Sequence, residues 1–328
     1  MKVFVQIPCL NEETTLPLVL DSIPRSIPGV DEIELLVIDD GSTDQTVEVA
    51  RDHGVTHFVR HSRNMGLARS FQDGVDYALL HGADIVVNTD GDNQYPQEVI
   101  GELVAPIIDG SAEIVVADRQ TATIEHFSGF KRAMQRFGSW VVNKAADTDL
   151  PDAASGFRAY SRYSLLRLNV VTQFSYCMET IIQAGHKRIA ITSIPISVNA
   201  QTRPSRLFRN IWHHMFQSAL AITRAYLMYK PYVVFVLLGL LLTVGGGIPF
   251  VRYLIITMGS HVGGHLQSLL IGTILLVGAL LSFALGIIAD LIRINRTLNE
   301  SALEYLKEQH LREESTSEIA MSSSRFRR

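Results

Sequence analysis

The sequence predicts an α/β fold: a mostly parallel sheet with helices on both faces, followed by interfacial helices and a C-terminal two-helix transmembrane hairpin. Three observations predict it. Over residues 1–120, short runs that are apolar throughout alternate with helix-period patterns, and strands without polar alternation belong to sheets covered on both sides. Two long apolar stretches, 232–251 and 266–289, stand near the C-terminus. Basic residues flank this pair on both outer sides, whereas 253–265 contains no Lys or Arg.

Taken in order, Val3–Ile7 is the first strand and runs into Pro8 without a cleavage-like site, so it is not a signal peptide. A helix begins at Leu16, after the Asn11–Glu12–Glu13–Thr14 turn. Ile33–Ile38 is an apolar strand stopped by Asp39–Asp40–Gly41, and Ser42 or Thr43 is placed to cap a helix through Ala50. His57–Arg60 is a weak strand. Leu67, Phe71, Val75 and Leu79 mark one face of a helix. Ile85–Val87 is a strand ending in Asn88–Thr89–Asp90; Val99, Leu103 and Ile107 mark a helical face, and Ile114–Ala117 is the next strand. A helix is expected over Phe130–Asn143 and a loop over Asp147–Ala154. Phe157–Leu168 and Tyr176–Gln183 read as helix or strand, and Ile189–Val198 is β-rich, with Pro195 suited to an edge.

These elements make residues 1–202 one polar domain. The juxtamembrane segment 203–230 carries Leu207, Ile211, Trp212, Met215, Leu220 and Ala221 among arginines, so it fits either a membrane interface or a helix packed on that domain. Residues 231–256 and 266–289 are long enough to cross a bilayer. Arg203, Arg206, Arg209, Arg224 and Lys230 precede them, Arg293, Arg296, Lys307 and Arg312 follow, and Arg252 sits at the edge of the connecting loop. Positive flanks stay inside, which predicts an integral two-pass protein with its catalytic domain and both termini cytoplasmic. A helical pair buried in a soluble protein is the alternative, but its spans would have to lack acid and base throughout. Gly245, Gly246, Gly247 and Pro249 allow a kink or a close helix approach. Residues 290–328 leave the membrane as a helix, with a disordered tail beyond Glu313.

The chain has 328 residues, 47% apolar and 19% charged, enough for a large core, and its net charge of -4 suggests no nucleic-acid partner. Cys9 and Cys177 are far apart and read as packed thiols.

Ligands on parallel sheets bind beyond the carboxyl ends of the strands, where Pro8, Asp39 and Asp90 fall together. Asp90 and Asp92, one residue apart in a turn, can hold Mg²⁺ or Mn²⁺ on a diphosphate. Spacing alone favours a solvated turn for this pair and for Asp147–Thr148–Asp149; the strand-end placement and the nearby Asp39–Asp40 bring the metal-binding reading of Asp90 and Asp92 level with it. Asp39 can accept hydrogen bonds from a base or ribose, with Gly41 giving the tight turn. No Gly-x-Gly-x-x-Gly follows the first strand and no Walker A segment occurs. Arg119, Arg132, Arg158, Arg203 and Arg206 are the candidate phosphate clamps, and His213–His214 reads as a surface or interfacial pair.

With these segments in place, the chain resembles the membrane-anchored family 2 glycosyltransferases of the dolichyl- or polyprenyl-phosphate sugar synthase type. The resemblance rests on Pro8-Cys-Leu-Asn-Glu12, Asp39-Asp-Gly-Ser-Thr-Asp-Gln-Thr46, Arg63-Asn-Met-Gly66, Asp90-Gly-Asp-Asn-Gln-Tyr-Pro96 and Ser155-Gly-Phe-Arg158. It implies a GT-A-type, Rossmann-like domain. Pro8, Asn11, Glu12, Asp39 and Asp40 would line the nucleotide, and Asp90, Asp92 and Gln94 would hold the metal and diphosphate. Arg119 and Arg132, with Arg203 and Arg206, would meet the acceptor phosphate, and Arg158 would serve catalysis. Glu179 matches an acid of the family. Arg203-Pro-Ser-Arg206 is shorter than the family's basic segment and lacks its glycine. The implied reaction is inverting transfer of a sugar from a UDP- or GDP-linked donor to a polyprenyl phosphate, undecaprenyl or dolichyl, at a membrane. The alternative is a saccharide or other lipid acceptor; a homo-oligomer is compatible with either.

Overall fold

The computed structural model describes residues 1–120, 129–170, 176–199, 231–258 and 266–325, with side chains at 129–137, 257, 311–312 and 314–325 outside that description. The elements are β1 (Lys2–Cys9), α1 (Leu16–Ser22), β2 (Glu32–Asp39), α2 (Thr46–Asp52), β3 (His57–Arg60), α3 (Leu67–Leu80), β4 (Ile85–Asn88), α4 (Ile100–Ile108), β5 (Ile114–Asp118), α5 (Gly129–Ala146), β6 (Arg158–Ser161), α6 (Arg162–Arg167), α7 (Tyr176–His186) and β7 (Ile191–Pro195). Two long helices, α8 (Pro231–Met258) and α9 (Leu266–Arg325), complete it.

The strands form one seven-stranded sheet in the order β3-β2-β1-β4-β6-β5-β7. From β3 to β4 every neighbouring pair is parallel, β6 is antiparallel to both β4 and β5, and β7 is parallel to β5. The expected mostly parallel sheet is present, with β7 at one edge carrying Pro195. Along β1, Val3, Val5, Ile7 and Cys9 join the core built from α1 (Leu16, Val19, Leu20) and α4 (Ile100, Leu103, Val104). Gln6 faces the opposite side, where α3 presses so close that a Cβ on Gly74 would lie 2.5 Å from Gln6 Oε1. Helices therefore cover both faces. Phe71, Val75 and Leu79 of α3 are buried, whereas Leu67 in its first turn is exposed, contrary to the periodic pattern.

The chain winds β1, β2, β3 to one side and returns to β4 on the other side of β1. Such a switch point opens a crevice at the carboxyl ends of the two central strands. That topology gathers Pro8–Glu12, Asp39–Ser42 and Asp90–Gln94 at one end.

The chain divides into two compact units: Met1–Ile222 with Ala302–Arg328, and Thr223–Ser301. Within the first, Lys307 Nζ of α9 donates to Asn169 Oδ1 at 2.9 Å, and Glu304 pairs with Arg167. The tail expected to be disordered beyond Glu313 continues as α9 to Arg325; extending an existing helix is far cheaper than starting one. The expected interfacial segment 203–230, with Arg203, Arg206 and His213–His214, lies outside the described residues.

Within the second unit, α8 and α9 pack through small residues. A Cβ on Gly246 would lie 2.9 Å from the Gly272 carbonyl oxygen, a Cβ on Gly272 would lie 2.9 Å from that of Gly246, and Ser282 Oγ donates to the Phe235 carbonyl. Gly246→Leu should force the helices apart and lower the melting temperature of the detergent-solubilised protein. Gly247→Leu is the control, because nothing lies within 4 Å of its Cβ direction. Equal melting of the two variants would refute the close crossing. Pro231–Ile256 and Leu266–His310 have hydropathies of 2.3 and 2.5, yet only 11% and 22% of their apolar windows are buried. Leu237, Leu241, Ile255, Ile274 and Leu280 are each about 60–70% exposed. A core pair of a soluble protein would have these side chains covered.

Candidate active site

Three loops build the site, and they are tied to one another more than to solvent. At the end of β1, Asn11 adopts a left-handed backbone (φ 54°). Its N–H donates to Ser42 Oγ at 3.0 Å, and its Oδ1 accepts from the Thr43 N–H at 2.8 Å. The Glu12 N–H donates to Thr46 Oγ1, and Thr15 Oγ1 lies 2.9 Å from Glu12 Oε2 and 2.8 Å from the Gly91 carbonyl oxygen. Ser42 and Thr43 are thus held by Asn11 and do not cap α2. The N-cap position is Gln45, without a side-chain cap, and Asp44 Oδ1 just before it accepts from the Thr46 N–H at 3.1 Å.

At the end of β2, Asp39 and Asp40 are both buried but serve different neighbours. Asp39 Oδ1 takes the Ser42 N–H at 2.8 Å, and Arg60 Nε lies 3.5 Å from Oδ2. Asp40 turns inward: Oδ1 accepts from the Met65 N–H and lies 2.7 Å from His61 Nδ1, and Oδ2 accepts from the Gly66 N–H at 2.9 Å. The His61 ring also meets Asp73, 3.0 Å from Nε2. Asp40 therefore anchors the Arg63–Gly66 loop, each of its carboxylate oxygens accepting from a backbone N–H there. Gly41 (φ 82°) is required here, since a Cβ would lie 2.7 Å from the Arg63 carbonyl carbon.

At the end of β4, Asp90 and Asp92 remain partly exposed. Asp92 Oδ1 accepts from the Gln94 N–H at 3.2 Å and Oδ2 from Gln94 Nε2 at 2.9 Å, so Gln94 orients Asp92. Asp90 faces Gly156, whose absent Cβ would lie 3.5 Å from both carboxylate oxygens and 3.1 Å from Tyr176 Oη. Behind this turn runs a buried polar chain. Gln6 Nε2 donates to Asn88 Oδ1, and Asn88 Nδ2 donates to Tyr176 Oη at 2.8 Å and to the Gly156 carbonyl at 3.0 Å. The Gly156 N–H donates to Tyr95 Oη at 3.2 Å. Burial, and to a smaller degree the Asp90 charge, push both phenols upward, so Tyr95 and Tyr176 stay protonated.

Among the arginines, Arg119 follows β5 and is gripped by Asp152, with Nε 2.6 Å from Oδ2 and Nη2 3.0 Å from Oδ1. This bidentate pair occupies Nε and one N–H of Nη2. Arg132 lies on α5, with its side chain outside the described residues. Arg158 is held inside the domain. It is fully buried and donates to the carbonyls of Ser155 (2.8 Å), Cys177 (2.8 Å) and Ala153 (2.9 Å) and to Thr180 Oγ1 (2.9 Å), with Tyr160 Oη at 3.5 Å. It braces the Ser155–Phe157 loop. Asp147 and Asp149 are exposed, and Cys9 and Cys177 are buried with their thiols pushed up chiefly by burial. Sequence reasoning gave Asn88, Asp152 and Tyr176 no role in the site, and Tyr95 only a place within the Asp90–Pro96 motif.

Among the described residues, no three His, Cys, Asp or Glu side chains form a closed metal cluster. Two carboxylates in one turn fit a hard divalent cation that takes its other ligands from a diphosphate and water.

The model of glycosyl transferase family 2 matches residues 4–168, spanning every loop just described. The chain is a family 2 glycosyltransferase. It transfers a sugar from a nucleotide-diphosphate donor. Polyprenol monophosphomannose synthase of Mycolicibacterium smegmatis is 24% identical over 207 residues, 60% of this chain and 77% of that protein. UDP-N-acetylglucosamine–dolichyl-phosphate N-acetylglucosaminyltransferase of Methanococcus voltae is 26% identical over 219 residues, 59% and 84% of the two chains. Among solved structures, glucosyl-3-phosphoglycerate synthase from Mycobacterium tuberculosis, in complex with Mn²⁺ and UDP-glucose, superposes with a TM-score of 0.53 at 25% identity, over 69% of this chain and 78% of that one.

Proposed function

We propose that this glycosyltransferase moves a sugar from a UDP- or GDP-linked donor to a polyprenyl phosphate at a membrane surface. The observation that carries the reading is the pair of exposed apolar helices, α8 and α9, on a chain with an acidic sugar-transfer turn. A long isoprenoid stays in the bilayer, so its phosphate must be met at the surface. The names of the Mycolicibacterium and Methanococcus relatives point to acceptors of this class. Both termini and the catalytic domain are assigned to the cytoplasmic side on the charge of the flanks.

The enzyme takes a divalent cation, as the Mycobacterium structure does. Asp90 and Asp92 would hold it, and it would supply charge neutralisation on the departing diphosphate. Pro8, Asn11, Glu12 and Asp39 line the end of the crevice assigned to the nucleotide. Arg119 and Arg132, with Arg203 and Arg206, are assigned to the acceptor phosphate, which they orient for in-line attack. That phosphate is mostly ionised at neutral pH, so no strong base is needed. One of its oxygens bonds to the anomeric carbon as the carbon–diphosphate bond breaks, with inversion. The nucleoside diphosphate leaves with the bonding pair.

A second reading keeps the donor half and changes the acceptor to a saccharide or another lipid. The fold shared with glucosyl-3-phosphoglycerate synthase favours it. The full chain in detergent, given Mn²⁺ and UDP- or GDP-sugars, is offered undecaprenyl phosphate, dolichyl phosphate, phosphoglycerate and soluble saccharides in turn. We expect an organic-extractable sugar phosphate with a polyprenyl phosphate alone. Efficient transfer to a soluble acceptor and none to either lipid would overturn the main reading.

A further inference from the structure

We infer that Asn199, just beyond β7, is a positioning residue for the metal-binding turn; this rests on the assignment of Asp90 and Asp92 as the cation's ligands. Three successive carbonyls of the turn end on this one residue. The Asn199 N–H donates to the Gln94 carbonyl at 2.9 Å, and Nδ2 donates to the carbonyls of Asn93 at 3.1 Å and Tyr95 at 3.2 Å. A side-chain amide has two N–H donors, and here each has its own acceptor.

The turn needs such support. Asn93 holds a left-handed backbone (φ 59°), which asparagine adopts more readily than most non-glycine residues but which still needs its carbonyl partners in place. Asp92 takes its orientation from the amide and side chain of Gln94, whose carbonyl is the one fixed by the Asn199 backbone. On the far side, Gln97 Nε2 donates to the same Tyr95 carbonyl at 3.0 Å and to Thr89 Oγ1 at 2.9 Å. Two side-chain amides thus converge on the Tyr95 carbonyl. Asn199 itself is placed by Ile196, which is buried in the core and donates its N–H to the Asp118 carbonyl at 2.8 Å. A residue 106 positions away from Asn93 in sequence therefore holds the backbone that directly follows the two carboxylates, including Gln94, which orients Asp92.

The polarity of the contact supplies the test. Asn199→Asp has the same shape but aims carboxylate oxygens at two carbonyl oxygens, whereas Asn199→Ala only removes the donors. Mn²⁺ binding to the full chain in detergent with UDP present, followed by electron paramagnetic resonance of the free ion, should rank wild type tightest, Ala weaker and Asp weakest. The Asp variant should lose about tenfold or more in affinity, the range found for groups that orient metal ligands. Melting temperatures should stay close to wild type, because Asn199 is exposed. A space-filling role would instead leave the isosteric Asp variant nearest to wild type. If both variants bind Mn²⁺ like wild type while Asp92→Asn loses it, the positioning role is wrong. If Asp92→Asn also binds normally, the metal assignment has failed, and the role of Asn199 with it.

Discussion

Asp92→Asn should lower kcat/KM by about a thousandfold, the consequence of losing several kcal/mol of charge stabilisation at the leaving diphosphate. The substitution keeps the shape of the side chain, and its oxygen can still accept the Gln94 N–H that now lies 3.2 Å from Oδ1. What it removes is one of two negative charges in the turn. Far-UV circular dichroism and the melting temperature should therefore be unchanged, because Asp92 is partly exposed and its partners are local. Mn²⁺ binding should fall in parallel with turnover. Exhaustive chelation of the wild type should reproduce the loss, with recovery on adding Mn²⁺ back. Near-normal transfer by Asp92→Asn, or full activity after chelation, would remove the cation from the reaction. Asp90→Asn is the harsher change, since Asp90 faces the Tyr95–Gly156–Tyr176 cluster and its substitution disturbs packing as well as charge.

The features legible in the sequence are those written locally. Ile33–Ile38 and Ile85–Val87 are apolar runs cut off by acids, and both become central strands whose ends carry those acids into the crevice. Pro195 allowed only an edge, and β7 is one. The reversed direction of β6 was not legible: Arg158–Ser161 is four residues long, and only its pairing with Asn88 and Val116 shows which way it runs. Ser42 and Thr43 have the right chemistry and position for a cap, yet Asn11, from another loop, captures them. The supports of the site share this character. Asn88 meets Tyr176 across 88 positions, and Arg119 meets Asp152 across 33. A pattern of neighbours carries no record of partners so distant, so sequence could nominate the acidic turn but not the residues that fix its geometry.

Arg158 lies in a family motif and also serves as a buried strut, and its substitution has the second large effect. Arg158→Met keeps much of the side-chain volume while stripping the donors from the buried carbonyls of Ala153, Ser155 and Cys177. The Cys177 carbonyl keeps Thr180 Oγ1 at 3.2 Å; the Ala153 and Ser155 carbonyls lose their guanidinium donor at about 1–3 kcal/mol each, so the domain should lose roughly 3 kcal/mol. For a domain of this size that lowers the melting temperature by about 10 °C. Arg158→Lys should rescue little: an ammonium has no planar fork, and the acceptors surround the guanidinium on several sides. None of the acceptors is a carboxylate, so the buried charge is balanced by carbonyl and hydroxyl dipoles that only this geometry brings together. Well below its melting point, the Met variant should still bind Mn²⁺ and transfer sugar at a reduced rate, since the loop that places Gly156 against Asp90 is loosened but not removed. A variant that melts like wild type yet has lost all turnover would return Arg158 to the chemistry and refute its role as a strut.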